Sequence, residues 1–420
     1  KTETAGQQSL AIGHGALATA NVTGGGTVGN VAIGHQAGAA ITTAVRNTVV
    51  GAWSMQSNQT GTYNTAVGYN VMQSTTSQTN AVAMGYQAMW SAATSAAVGA
   101  VAIGAEALHD LTSGIGNVAV GYHALSKEDD GDYNTAIGHQ ALKAQTGTSG
   151  TVQNTAVGFS AMGAITTGTY NTTLGGNTLL TATTALNNVA VGFNAMSDVK
   201  AGVAVDGCVA IGRAALKGNS SNTTGINNTI AIGHNSLTAL TEGQYNTAVG
   251  YLSGYQVSTG DNNTFLGYGT AVYGPTTTSD NTFLGAHAGA GDNNNYTHDN
   301  NTAVGSYALT LVSGCSSNTV LGSQAGRYVD TGDNNTFLGA GAGKGLNADR
   351  MGSDNNTAVG YNAATAITTA SGSVFIGKDA GAVSATGNQN IGIGLTALGG
   401  AATTGDNNIA IGVSAGDGLT

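Results

Sequence analysis

The sequence predicts an all-β protein, a parallel β-solenoid (β-roll) of 23 repeats with a 17-residue basic period spanning residues 1–420 as one elongated repeat domain. Three observations predict it. A short run recurs, as "YNTAVGY" at Tyr63–Tyr69 and Tyr245–Tyr251 and "YNTAIGH" at Tyr133–His139. Its glycines are evenly spaced, with 13 of the 22 intervals equal to 17 residues and the others 18 to 21. The composition suits stacked strands: 67 Gly, one Pro and 41% hydrophobic residues, with only 8% charged against roughly 25% in ordinary domains.

Each element of the repeat has a physical reading. The residue before the motif glycine is Val, Ile or Leu in every repeat except at Met84, and the third residue before it is Thr, Val or Ile except at Leu10. β-branched residues at alternate positions read as a strand with both side chains on one face. Asn stands four before the glycine in 17 of 23 repeats, Asn64, Asn134 and Asn246 among them, ahead of Gly68, Gly138 and Gly250. Asn ladders stacking from coil to coil account for this column, and for sequon-like runs such as "NNT" at Asn334–Thr336. Gly, Asn, Asp and Thr between the runs supply turns.

Volume trading ties two further positions together. The residue two before the glycine is usually Ala, but it is Phe at 265, 283, 337 and 375, and four residues after those glycines stand Ala271, Gly289, Gly343 and Gly381. Ala66 goes instead with Met72, and Ala136 with Leu142. Close packing makes such a trade necessary if the two positions share a pocket. The strand then reads as apolar on both faces, with the β-branched row packed against a second layer. Two architectures fit the spacing: one narrow coil per repeat, which the sequence favours, or three repeats winding once around a wider prism.

Function classes narrow by exclusion. With 11 basic and 21 acidic residues the net charge is −10 and no Lys/Arg cluster exists, so the footprint of nucleic-acid binding is missing. No apolar run is long enough to insert across a membrane. There is no H-E-x-x-H, Walker loop or CxxC pair, so no catalytic residue, no cofactor and no metal are expected. "KEDDGD" at Lys127–Asp132 reads as a solvated loop, with a Ca²⁺ turn as the alternative. Cys208 and Cys315 read as small buried apolar side chains. His14, His35, His139 and His234 share a position with Tyr69, Tyr86 and Tyr251. That row reads as amphipathic side chains with polar tips outward, with a sugar-stacking stripe or a metal ladder as the alternatives.

The motif resembles the head repeats of trimeric autotransporter adhesins, to which "SLAIG" (Ser9–Gly13), "NVAIG" (Asn30–Gly34) and "NIAIG" (Asn408–Gly412) are the closest matches. The longer "NTAVGYNA" form is similar to repeats in phage tail-fibre and surface proteins. The resemblance implies a β-roll packed as a homotrimeric fibre. It implies a structural and adhesive role outside the cell, on a virion as a tail fibre or on a cell surface. The spacing is longer than in autotransporter heads and no coiled-coil stalk, anchor or chaperone domain is seen, so a mature fibre segment or a shortened chain is expected. The partners expected are further copies of the chain and a host-surface glycan or protein receptor. A bacterial adhesin or self-assembling filament is the alternative. An ice-binding solenoid is less favoured, because the Thr column alternates with Val and Ile as a packed row does.

Loops on a rigid scaffold carry binding, so receptor contact is expected in the irregular segments Ser126–Tyr133, Tyr273–Asp280, Asp292–Asp299 and Gly345–Asp354. Tyr273, Tyr296 and His298 offer flat or amphipathic faces for a sugar, and Asp292 and Asn295 offer hydrogen bonds.

Overall fold

In a computed structural model of the chain, the residues described are 8–418 apart from 21–27, 92–97, 147–149, 222, 274–275, 292–297, 312–313 and 347–350. Every motif run forms a three-residue strand, and the fold is an all-β parallel β-solenoid of about 22 turns with a repeat of about 17 residues. Within each unit, neighbouring motif strands pair in parallel and in motif register, as Thr65–Val67 does with Thr48–Val50 and Val82–Met84. One repeat is therefore one coil, and the wide prism is ruled out. The coils fall into two compact units, Lys1–Gly207 and Cys208–Thr420. The first carries motif strands from Leu10–Ile12 to Val189–Val191, with a short extra pair at Gly131–Asp132 and Gly150–Thr151. The second runs from Val209–Ile211 to Ile409–Ile411.

The glycine column is a close approach. In Gly68, Gly138 and Gly250, φ is 138°, 141° and 140°, a region essentially closed to other residues. A Cβ on Gly68 would stand 2.6 Å from the carbonyl oxygen of Gly85, the same glycine one coil on. The column therefore exists because stacked backbones nearly touch there, and it is more than a turn signal.

The Asn column is a buried ladder, as the sequence predicts. Asn64 donates its backbone N–H to Asn47 Oδ1 (2.9 Å), and its own Oδ1 accepts the N–H of Ala81 (3.0 Å). Its amide nitrogen donates to the carbonyl of Gln78. Asn134 and Asn246 repeat the pattern, receiving or donating along Asn117, Asn154, Asn263 and Gly260. A buried amide that meets its donors and acceptors, as in the coils that carry Asn here, stabilises the turn instead of costing desolvation.

Inside each coil, one strand residue points inward. Phe265, Phe283, Phe337 and Phe375 are fully buried, and the space opposite them is what the trade requires. A Cβ on Gly343 would lie 2.5 Å from the Phe337 ring, and Gly289 and Gly381 face Phe283 and Phe375 in the same way. In other coils Met72 and Leu142 fill this space against Ala66 and Ala136, all fully buried.

The expected packing of the β-branched row needs correcting. Within one chain this row faces outward: Thr264 and Leu266, Thr319 and Leu321, and Thr336 and Leu338 are exposed on either side of their buried inner residue. A narrow coil has room for one inward side chain per three-residue strand, and the period of two sends both flanking residues to the opposite face. The Thr/Val column and the aliphatic column therefore form an outer sheet face.

A further regularity lies in the turns. Leu142, Met72 and the other residues of their column have φ near +50°, as do Gln36, Trp53 and Asn70 two after their glycines and Tyr63, Tyr133 and Tyr245 five before theirs. Each coil thus enters the left-handed region several times, which disfavours β-branched residues most of all. The Leu142 column accordingly holds Leu, Met, Ala and Gly and never Val, Ile or Thr, in a chain otherwise rich in those residues.

Candidate functional site

The most developed surface feature is a ladder of side-chain rings just after the motif glycines. In the first unit His14 stacks on His35 (5.3 Å between centroids, 14° between planes), followed by Trp53, Tyr69 and Tyr86 at 5.2–5.9 Å. A second run joins Tyr122, His139 and Phe159. In the second unit His234, Tyr251, Tyr268, His287 and Tyr307 continue at 5.1–5.4 Å. Arg213 Nη1 meets His234 Nε2 at 2.9 Å, and the Arg327 guanidinium lies 5.1 Å from the Tyr307 centroid.

Continuity is kept by substitution between neighbours. Where the first residue after the glycine is Ala52, Ala286 or Ser306, the second is Trp53, His287 or Tyr307, and that ring takes the place in the stack. The residues expected to point polar tips outward do so, since Tyr69, Tyr251 and Tyr268 are exposed. Most rings lie flat on one another, so their faces are mutually covered and their edges meet solvent. A flat-stacked ladder is therefore no continuous sugar platform, because a sugar stacks on a ring face.

The loop residues fare differently. Tyr273 is 46% exposed, with its backbone N–H donated to the carbonyl of Ala290 (2.7 Å). Asp292, Asn295 and Tyr296 lie outside the described residues. His298 is corrected: it is 1% exposed and belongs to the coil interior. Thr278 Oγ1 donates to its carbonyl at 2.6 Å and lies 3.3 Å from its Nδ1, and the Phe283 ring stands edgewise 6.0 Å away. Burial lowers its pKa from 6.5 to about 4, so the imidazole is neutral. His298 sits seven before its motif glycine, in the interior column of Thr278 and Cys315. The 20-residue interval around it disguised that alignment.

The acidic turn is built into the coil. Buried Glu128 accepts the N–H of Gly131 at 2.7 Å and the amide of Asn134 at 3.3 Å. Burial, followed by the charge of Asp129, pushes the Asp130 carboxyl upward. Glu128, Asp129 and Asp130 bring carboxylate oxygens within 4.8 Å of one another, but the Glu128 carboxylate is already used to cap the turn. Cys208 and Cys315 are buried free thiols, as expected; Cys208 Sγ donates to the Ile226 carbonyl and burial pushes the Cys315 thiol up to about 12.

Sequence reasoning missed the ring substitution and the left-handed columns, although both were visible as position-specific exclusions. No protein-family model and no curated protein matches this chain.

Proposed function

We propose that the chain is a structural and adhesive fibre protein without catalytic activity, which assembles with further copies of itself. The observation that supports this is the outward aliphatic column. Leu266, Leu284, Leu321 and Leu338 are each at least 40% exposed, and their strands run on in register with the aliphatic residues between them. Isolated exposed leucines are ordinary, whereas a contiguous apolar stripe marks an interaction surface. Burying it against the same stripe of other copies recovers about 25 cal/mol per Å² of apolar area. Cyclic symmetry closes such an assembly, and a homotrimer is the form this reading favours. Its setting is extracellular, as a virion tail fibre or a cell-surface adhesin, with a host-surface glycan or protein as receptor. Native mass measurement tests it: three chains per particle are expected, and a folded monomer at micromolar concentration overturns the trimer.

A second reading, ice binding, is favoured by one observation. The Thr column, expected to be packed, faces outward, and from Thr247 to Thr357 seven successive coils carry Thr there. Such an array offers hydroxyls at the strand spacing of about 4.8 Å. Thermal hysteresis of the purified chain, abolished in Thr302→Leu, is the expected mark of this second role; its absence removes it.

A further inference from the structure

The first unit holds both tryptophans of the chain, Trp53 and Trp90. Trp53 stands one coil on from Gln36 in the same column, and a relay of glutamine amides runs from Gln36 to Trp90. Gln56 Nε2 donates to Gln36 Oε1 (2.5 Å), Gln73 Nε2 to Gln56 Oε1 (3.0 Å) and Trp90 Nε1 to Gln73 Oε1 (2.8 Å). The two indoles stand two coils apart, about 10 Å along the stack at the usual strand spacing. Gln36, Gln56, Gln73, Trp53 and Trp90 are all partly exposed.

Trp53 breaks the flat stacking of the ring ladder. Its plane stands at 85° to both His35 and Tyr69, whose other faces are covered by His14 and Tyr86. Trp53 therefore turns its edges to its neighbours in the ladder and both indole faces sideways. Edge-on contacts recur at His234–Tyr251 and Tyr268–His287, but Trp53 alone among the described ladder rings meets two neighbours in this way. Trp90 stacks on His109 through one face (5.2 Å, 17°), and no other ring of the described residues covers the second. The relay orients its amides in one direction and leaves the Gln36 amide nitrogen with hydrogens to donate.

We infer that Trp53, Trp90 and the Gln36–Gln56–Gln73 relay form a binding patch for a neutral glycan, with sugar rings lying on indole faces and hydroxyls exchanging hydrogen bonds with the amides. An indole face covers the apolar face of a pyranose, and an amide serves a hydroxyl as donor and acceptor at once. A neutral sugar fits better than an anionic one: the relay is uncharged, and at its far end Asp110 is held by His109 (2.5 Å) and Lys127 (2.9 Å). Burial raises the Asp110 pKa, but those two hydrogen bonds outweigh it, so this carboxyl remains ionised and, paired with Lys127, offers no net positive charge to draw an anion. The inference rests on the attachment reading and gives it a ligand class and a place.

Because the chain holds no other tryptophan, its indole emission reports on this patch alone. Titration of the whole chain with chitohexaose, cellohexaose and mannohexaose should give a saturable change with at least one, and none with sialyllactose. Trp53→Ala should weaken that binding about tenfold and Gln56→Leu should weaken it too, both with an unchanged thermal midpoint. No saturable change with any neutral hexaose overturns the patch, as does a response that both variants leave intact. Attachment of the chain to host cells is scored in parallel. Cell binding without an emission change sinks the patch and keeps the attachment reading, whereas an emission change without cell binding does the reverse.

Discussion

In the first unit a coil interior is typically Ala on the strand and Met or Leu across from it, as with Ala66 and Met72 or Ala136 and Leu142. In the second, four coils reverse the order, with Phe on the strand and Ala or Gly opposite. The column six before the glycine differs as well. The first unit mixes Val28, Val45, Val98, Ile115 and Val152 there with Thr62, Thr79, Thr169 and a single ladder-forming Asp132, whereas the second places Asp261, Ser279, Asp299, Ser316 and Asp333 in succession. These polar residues form a second ladder: Asp261 Oδ1 accepts the Gln244 N–H at 2.7 Å, Ser279 Oγ that of Asp261 at 3.1 Å and Asp299 Oδ1 that of Ser279 at 2.7 Å. From Asp261 to Asp333 Ser alternates with Asp, which keeps like charges from stacking directly; Asp333 and Asp354 then follow one another without a Ser between. The two units teach that the glycine and Asn columns define the coil, while the filling and this edge are exchangeable.

If that is right, the shared column should be equally intolerant in both units. Gly138→Ala and Gly250→Ala each place a Cβ 2.7 Å from the carbonyl carbon of the next motif glycine, at a φ that L-residues avoid. Each should cost about 3 kcal/mol or more, read as lost hydrogen-exchange protection in its own unit. Tolerance in one unit alone would mean that the coils are not built on the same close approach.

The exchangeable filling should be transferable. Leu142→Ala should destabilise the first unit by about 2–4 kcal/mol as a cavity mutation. Adding Ala136→Phe should recover part of that loss, since Phe265 coexists with Ala271. Ala136→Phe with Leu142→Gly should recover more, because Gly is the usual partner of Phe here and relieves the left-handed φ of 50° at Leu142. A double variant as unstable as the sum of its singles would show that the interior is specific to each unit.

These contrasts also mark what was legible in the sequence. Strand positions, register and the one-coil repeat could be read because glycine spacing records the backbone directly. The pairing of Phe283 with Gly289 could be read because volume must be conserved. Which face of the strand points inward could not: period two groups Thr264 with Leu266 but is silent on the side they take. His298 was misplaced because its irregular interval looked like a free loop, and the neighbouring Asp292, Asn295 and Tyr296 lie outside the described residues. The replacement of a ring at Ala52 by Trp53 was there to be read, but the angle at which the Trp53 indole stands is set by its neighbours in three dimensions.

Acid should separate the units by sign. In the second, His298 has a folded pKa of about 4 against 6.5 when unfolded. The unfolded chain binds the proton first, so this stability is present above pH 6.5 and lost as pH falls toward 4, by about 3 kcal/mol once both values are passed. Urea unfolding of the second unit followed over that range should show the loss, and His298→Leu should flatten it. An unchanged slope in His298→Leu would assign the acid sensitivity to other groups.

The first unit carries the opposite and smaller term at Glu128. Burial pushes its carboxyl up from 4.5, the Gly131 N–H pulls it back and Asp129 adds to the push. A raised folded pKa means that the contribution is fully present below 4.5 and is lost as pH rises through the folded value, so at neutral pH the ionised side chain costs stability. One coil on, the equivalent residue is Gln145, whose Oε1 accepts the Asn154 amide at 3.0 Å while its Nε2 donates to the Thr166 carbonyl at 3.1 Å. Glu128→Gln therefore copies an arrangement that the fold already uses, keeping an acceptor for Gly131 without a buried charge. It should raise the thermal midpoint at neutral pH, and the gain should fade as the medium is acidified below 4.5. A lower midpoint at neutral pH would mean that the turn needs the negative charge, and would reopen Glu128, Asp129 and Asp130 as a cation-binding turn, which added Ca²⁺ should then stabilise in the wild-type chain alone.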